Sequence, residues 1–175
     1  MGKKVKIQII GYSGGGKSTL ARWLESIYHI KLLSLDDIHW IEGKYERAKT
    51  EDREIISQFL EENDSWIIDG NYSYLFFEER IAAADLIIFL NINRCKCLYQ
   101  TILRYFERLS RVWKGKEEFS FPNMKLIFHV VISGRNARRF AMIKEKYGTK
   151  TVEIKNVRQL KEFQEKVIKN ISVKE

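Results

Sequence analysis

The sequence predicts a three-layer α/β/α protein built on a five-stranded parallel sheet. Five short apolar runs, rich in β-branched residues, alternate with longer stretches of helical period. The runs are near-continuously apolar rather than alternating, as strands covered on both faces are. Residues able to do chemistry gather at the carboxyl ends of these runs, where open parallel sheets bind ligands.

Taken in order, Val5 to Ile10 reads as a buried strand running straight into glycines. Leu20, Ala21, Leu24 and Ile27 then fall at helical spacing across Ser18 to Tyr28. Lys31 to Leu35 is a second strand that ends at Asp36-Asp37. Thr50, followed by Glu51 and Asp52, reads as an N-cap with acids in the first turn. The helix it opens carries Ile55, Ile56, Phe59 and Leu60. Ser65 to Asp69 is a third strand, broken by Gly70-Asn71. A short helix near Leu75 to Ala84 precedes Asp85 to Leu90, the most strand-like run in the chain. Asp85 opens that strand, at the end away from the other acids, and reads as structural. A helix from about Cys95 to Val112 follows, then a polar segment, Trp113 to Pro122, with the composition of a lid. A longer helix, about Asn123 to Lys146 with a bend near Gly134, leads to a last strand, Thr151 to Ile154. Asn156 with Gln159 resembles a capping box for the final helix.

The 175 residues, 45% apolar and 31% charged, suit one domain spanning residues 1–175 with a sizeable core. No apolar run approaches the roughly eighteen residues of a membrane span. The charged N-terminus lacks a signal-peptide pattern, which points to the cytoplasm and no membrane partner. Cys95 and Cys97 suit a reducing compartment and, with His29, His39 and His129 scattered, make no metal site. Net charge is +8 (31 − 23), and it is uneven. Arg94 to Lys150 holds fourteen basic and four acidic residues, so that stretch alone carries +10. Such a concentration points to nucleotide phosphates or nucleic acid as a partner, or to a solvated lysine-rich helix face.

Gly11-Tyr12-Ser13-Gly14-Gly15-Gly16-Lys17-Ser18 matches G-x-x-x-x-G-K-[ST] in full, with a strand before it and a helix after it. The glycines allow successive N–H groups to turn inward at phosphate oxygens, and the helix adds its positive end. Gly11, Ser13, Gly14, Gly15, Gly16, Lys17, Ser18 and Thr19 are therefore the expected nucleotide-binding residues. Lys17 is expected to reach the β- and γ-phosphates of ATP, and the Ser18 hydroxyl to ligate Mg²⁺. The expected fold is thus of the P-loop NTPase type.

Magnesium on the loop serine needs a carboxylate from a neighbouring strand end. Asp69, carried to the end of a core strand by Trp66-Ile67-Ile68, is the candidate. Asp36 or Asp37 would then face an acceptor and take a proton from its hydroxyl, unless both are helix-capping or turn residues. Arg104, Arg108 and Arg111 fall four and three apart on one helix. Arg104 and Arg108 are candidates for stabilising a transferred phosphoryl group. Arg135, Arg138 and Arg139 form a second cluster. The competing reading of this basic segment is a nucleic-acid patch with Tyr105, Phe106 and Trp113 as stacking partners.

Assembled, these residues resemble the small P-loop kinases of the adenylate kinase and shikimate kinase type. Within that group the chain most closely resembles the DNA-topology-modulation (FlaR-type) proteins. The resemblance runs over roughly the whole chain. It rests on the loop and helix start at 11–22, on Leu35-Asp36-Asp37-Ile38-His39-Trp40, and on Trp66-Ile67-Ile68-Asp69-Gly70-Asn71-Tyr72. Ala84 to Leu90 and Arg94 continue it. It implies a nucleotide-kinase-like fold with a central phosphate-loop strand, ATP and magnesium as ligands, and a lid after the fourth strand. It also implies Asp69 holding magnesium through water and Asp36 or Asp37 contacting the acceptor. Two departures stand out: Gln100 replaces an arginine expected one turn before Arg104, and Lys114 to Phe119 is poorer in arginine than the lids of relatives. The expected function is transfer of the ATP γ-phosphoryl group to a small acceptor, a nucleoside, nucleotide or other hydroxylated metabolite. The alternative is a nucleotide-dependent, nucleic-acid-binding regulator of DNA topology.

Overall fold

Five parallel strands pair in the order β2-β5-β1-β6-β7 in a computed structural model that describes residues 4–41, 45–114 and 137–172. The strands are β1 (Lys6–Gly11), β2 (Leu32–Ser34), β5 (Trp66–Asp69), β6 (Leu86–Leu90) and β7 (Thr151–Ile154). A two-residue pair, β3 (Trp40–Ile41) and β4 (Tyr45–Glu46), makes a separate antiparallel ribbon that the sequence did not signal. The helices are α1 (Lys17–Tyr28), α2 (Leu35–His39), α3 (Lys49–Glu62), α4 (Phe77–Ala83), α5 (Arg94–Trp113), α6 (Ala137–Tyr147) and α7 (Val157–Ser172). The five-stranded α/β architecture is the one expected.

The chain leaves β1 in one direction to reach β2, then crosses back through β5, β6 and β7. With right-handed crossovers, this reversal sends α1 to one face and α3 and α4 to the other. The strand β1, which runs into the glycine-rich loop, therefore sits centrally, paired with β5 and β6. Its neighbours supply the core: Ile7, Ile9, Ile10, Ile67, Ile68, Ile87, Ile88 and Leu90 are all fully buried. Burying one such aliphatic side chain contributes about 1.5–3 kcal/mol, so these residues stabilise the sheet centre strongly. Register places Ser34 of β2 beside Asp69 of β5, and Asp69 beside Ile9 of β1. The carboxyl ends of the three strands thus open side by side.

Several local expectations change. The second strand stops at Ser34, and Leu35 already begins α2; Asp36 and Asp37 lie in its first turn rather than on a strand. The Ser34 side chain accepts from Asp37 N–H at 3.4 Å, and this cap is what ends the strand early. Thr50 is not a cap: α3 starts one residue earlier, at Lys49, behind Ala48 and without a side-chain cap. Asp85 precedes β6 and accepts from Lys6 N–H at 2.8 Å, a structural role. Asn156 accepts from Gln159 N–H at 3.0 Å while Gln159 accepts from Lys155 N–H at 2.8 Å, a capping box displaced by one residue. Trp113 closes α5 rather than opening a loop. The remainder of the expected lid, residues 115–122, lies outside the described residues, as do Arg135 and the start of the helix expected from Asn123. Among the described residues no helix is long and apolar enough to cross a membrane.

Candidate functional site

Gly11 to Ser18 connects the last residue of β1 to the second residue of α1. Gly15 N–H donates to the Tyr12 carbonyl at 3.1 Å, which tightens the loop. Gly14 has φ +76°, and a Cβ there would lie 2.6 Å from the Cys97 carbonyl oxygen and 2.8 Å from Thr101 Oγ1. Helix α5 therefore presses on the loop, and only glycine fits under it. Gly16 also has positive φ and has no side chain with which to cap α1. The first N–H groups of α1 thus lack a side-chain partner at the helix's positive end, the arrangement that attracts phosphate. Lys17 folds back over the loop, its Nζ 3.5 Å from the Tyr12 carbonyl. Ser13 is half-buried within the loop and Thr19 lies on the exposed side of α1.

Ser18 and Asp69, 51 residues apart in sequence, are joined: Ser18 Oγ donates to Asp69 Oδ2 at 2.7 Å. Asp69 is 3% exposed, and its other oxygen has no hydrogen-bond partner. Burial raises the proton affinity of this carboxylate, against the pull of Lys17 and of the Ser18 bond. A buried carboxylate oxygen left unpartnered beside a phosphate loop fits a cation. Among the described residues no group of three or more His, Cys, Asp or Glu side chains converges. A hydroxyl and one carboxylate suit Mg²⁺, which keeps several waters and takes substrate phosphates as ligands.

Ser18 and Asp69 line a cavity of about 210 Å³ together with Arg22, Glu25, Leu32, Ser34 and Asp37. Of the two adjacent acids, then, Asp37 faces this cavity, while Asp36 accepts from the Tyr72 hydroxyl at 2.8 Å. Burial, and after it the Asp36 carboxylate, hold the Tyr72 hydroxyl protonated well above the ordinary tyrosine range. On the other side of the loop a second cavity, about 240 Å³, runs along Gly15, Gly16, Thr19, Leu20, Trp23 and Ile92. It continues to Lys96 and Gln100 of α5 and to Val157, Leu160 and Gln164 of α7. Its apolar side chains beside the loop suit a planar base.

The loop after β5 is tied to the phosphate loop by Asn71. Its Oδ1 accepts from Gly11 N–H at 3.1 Å and its Nδ2 donates to the Gly11 carbonyl, so one amide holds both polar groups of a single residue. The same loop is held from beneath by Arg80, which is 1% exposed. Arg80 donates to the Leu75 carbonyl at 2.7 Å, to Gln8 Oε1 at 2.7 Å and to the Tyr72 carbonyl at 3.1 Å. Gln8 in turn donates to the Ile68 and Gly70 carbonyls at 3.1 and 3.2 Å. All of these acceptors are neutral, and burial lowers the Arg80 pKa to about 10. Arg139 of α6 lies over the Phe77 ring, 3.7 Å from its centroid, and reaches the Asn71 carbonyl at 3.4 Å. Arg138 is exposed on the same helix.

A second polar knot supports the start of α3. Asp52, fully buried, accepts from His39 Nδ1 at 2.9 Å and from the Tyr74 hydroxyl. Arg47 approaches its other oxygen at 3.8 Å. Arg104 and Arg108 lie on α5, the helix that meets the loop at Cys97 and Thr101. Their side chains, and that of Arg111, lie outside the described residues. Sequence reasoning missed the structural parts of Gln8, Asn71, Arg80 and Asp52. The one available signal was a glutamine inside an otherwise apolar strand, since a buried amide requires partners.

No protein-family model matches the chain, and no curated protein matches it. Among solved structures, an uncharacterized protein from Eubacterium ventriosum ATCC 27560 is 16% identical, with a TM-score of 0.48, covering 96% of this chain and 99% of that one. A gluconokinase from Sinorhizobium meliloti 1021 is 12% identical, also with a TM-score of 0.48, covering 89% of this chain and 85% of that one.

Proposed function

We propose that this chain is a phosphotransferase that moves the γ-phosphoryl group of ATP to the hydroxyl of a small acceptor. The observation that carries the reading is the Ser18–Asp69 hydrogen bond of 2.7 Å at the mouth of a complete phosphate loop, with the other Asp69 oxygen buried and unpartnered. The base would rest in the cavity beside Thr19, Trp23 and Val157. The loop N–H groups and Lys17 would hold the phosphates, and Ser18 with Asp69 would hold magnesium. When bound, magnesium supplies charge neutralisation at the phosphate oxygens.

Asp37, facing the cavity that Ser18 and Asp69 line, is the group that would accept the proton of the attacking hydroxyl. As that oxygen bonds to the γ-phosphorus, the bond to the bridging oxygen breaks and ADP departs. Asp36, fixed by Tyr72, would hold a second hydroxyl of the acceptor. Arg104 and Arg108 are assigned to the transferred group. The test is coupled ADP release over a panel of nucleosides, nucleotides and hydroxylated metabolites, with Asp37→Asn as control. Turnover that no acceptor raises above the ATP-plus-water background would remove the transfer reading.

One observation favours a second role for part of the surface. Tyr99, Phe106 and Trp113 of α5 are 61%, 60% and 91% exposed, within the basic stretch. Such aromatics among cations suit stacking on single-stranded nucleic acid. That contact predicts binding that weakens steeply with salt, and the absence of binding at low ionic strength excludes it.

A further inference from the structure

We infer that Gln100 reads the base of the donor nucleotide, its side-chain carbonyl accepting from an exocyclic amino group such as the 6-amino group of adenine. This rests on the reading in which a nucleotide lies along the phosphate loop, and adds to it the residue that selects the base. Gln100 Oε1 is shut off from solvent and has no hydrogen-bond partner among the described residues. A buried acceptor without a donor costs free energy that a leucine in the same place would not. The Gln100 side chain lines the cavity of about 240 Å³ beside Gly15 and Gly16, so the occupant of that cavity is placed to supply the missing donor. The terminal torsion of a glutamine is soft, and a small turn brings the oxygen to the cavity wall.

The position of Gln100 is set by the loop itself. On α5 it lies between Cys97 and Thr101, the two residues that close on Gly14. The Thr101 hydroxyl donates to the Cys97 carbonyl at 2.9 Å, which keeps that contact surface in one arrangement. A nucleotide whose phosphates sit in the loop therefore meets Gln100 at a fixed reach. Leu20 and Trp23 of α1, with Val157 and Leu160 of α7, supply apolar walls for a planar ring, and Gln100 supplies a group for its edge. Glutamine suits adenine because its oxygen accepts from the 6-amino group while its Nε2 donates to a ring nitrogen. An arginine here would carry donors only and could not accept from that amino group.

Three ligands test this in the presence of magnesium: ATP, purine riboside triphosphate, which lacks only the 6-amino group, and inorganic tripolyphosphate, which lacks base and sugar. Dissociation constants are measured by calorimetry for the wild type and for Gln100→Leu. The wild type should bind ATP about tenfold tighter than purine riboside triphosphate. Gln100→Leu should bring that ratio close to one and leave tripolyphosphate binding unchanged. A wild-type ratio near one, or a ratio that Gln100→Leu leaves in place, would overturn the inference while nucleotide binding at the loop stands. A variant that loses tripolyphosphate as strongly as ATP would also overturn it, because the amide would then shape the cradle rather than read the base. Failure of the wild type to bind either nucleotide would remove both the inference and the reading beneath it.

Discussion

Replacing Asp69 with asparagine tests whether this edge of the sheet is built for a cation at the expense of the free protein. The carboxylate is 3% exposed, one oxygen accepts from Ser18, and the other accepts from nothing. Leaving a buried acceptor unpartnered costs about 1–3 kcal/mol, and more when it is charged. The amide removes the charge and keeps a neutral bond from Ser18, which is about 1 kcal/mol weaker than the charge-assisted one. The expected balance is a gain of about 1 kcal/mol, or about 2–4 °C in melting temperature for a chain of this size. Magnesium and ATP at about 100 times Kd should then stabilise the wild type by about 2.7 kcal/mol, and the variant by much less. Thermal unfolding at pH 7, with and without Mg-ATP, reads both effects. The pH dependence has a definite sign. Because the native carboxylate is shifted upward, the folded state binds more protons than the unfolded state between the two pKa values. Stability of the free wild type should fall as pH rises through that window, and Asp69→Asn should flatten the fall. A free variant that melts more than about 2 °C below wild type, or one with an undiminished response to Mg-ATP, would refute the reasoning.

The two loop glycines should separate by their surroundings. Gly14→Ala combines a left-handed backbone, about 1 kcal/mol, with a clash against Cys97 and Thr101, for a loss near 3 kcal/mol in urea unfolding. Gly16→Ala, with φ +88° but nothing within 4 Å of the added carbon, should lose only about 1 kcal/mol. Asn71→Ala removes both bonds to Gly11 and should cost about 2 kcal/mol, together with a measurable loss of ATP affinity. Asn71→Asp should do no better, since a carboxylate accepts from Gly11 N–H but repels its carbonyl. Gln8→Leu strands a buried guanidinium donor and should cost about 3 kcal/mol, part of which returns in the Gln8→Leu, Arg80→Leu double variant.

The sheet, the glycine-rich loop after its central strand and the acid that ends β5 were legible because each leaves a local trace. Ile7, Ile9 and Ile10 run straight into Gly11, and Trp66-Ile67-Ile68 runs straight into Asp69. The pairing of Ser18 with Asp69 could be anticipated from the chemistry of the loop, although its 2.7 Å bond joins residues 51 apart. What was not legible depends on three-dimensional closure. Leu35 is apolar and reads as strand, yet Ser34 caps the following turn and hands Leu35 to a helix. Thr50 has the right chemistry for a cap, but α3 begins before it. Nothing near Asp52 in sequence foretells His39 and Tyr74 as its partners, and nothing near Arg80 foretells Gln8, 72 residues away.

Arg80 has one more consequence. Every bond it makes is to a main-chain carbonyl or to Gln8, so the path of the backbone between Gly70 and Leu75 is set from inside the molecule. The side chain of Tyr72 adds a second tie: its hydroxyl donates to Asp36 at 2.8 Å and its ring lies 5.2 Å from that of His39 between centroids. Residue 72 is therefore held at both ends, its carbonyl by Arg80 and its hydroxyl by Asp36. Its neighbour Asn71 holds Gly11 through both ends of its amide. Two consecutive residues of one short loop thus join the turn after β1 to the first turn of α2, so a displacement of either is transmitted to the other.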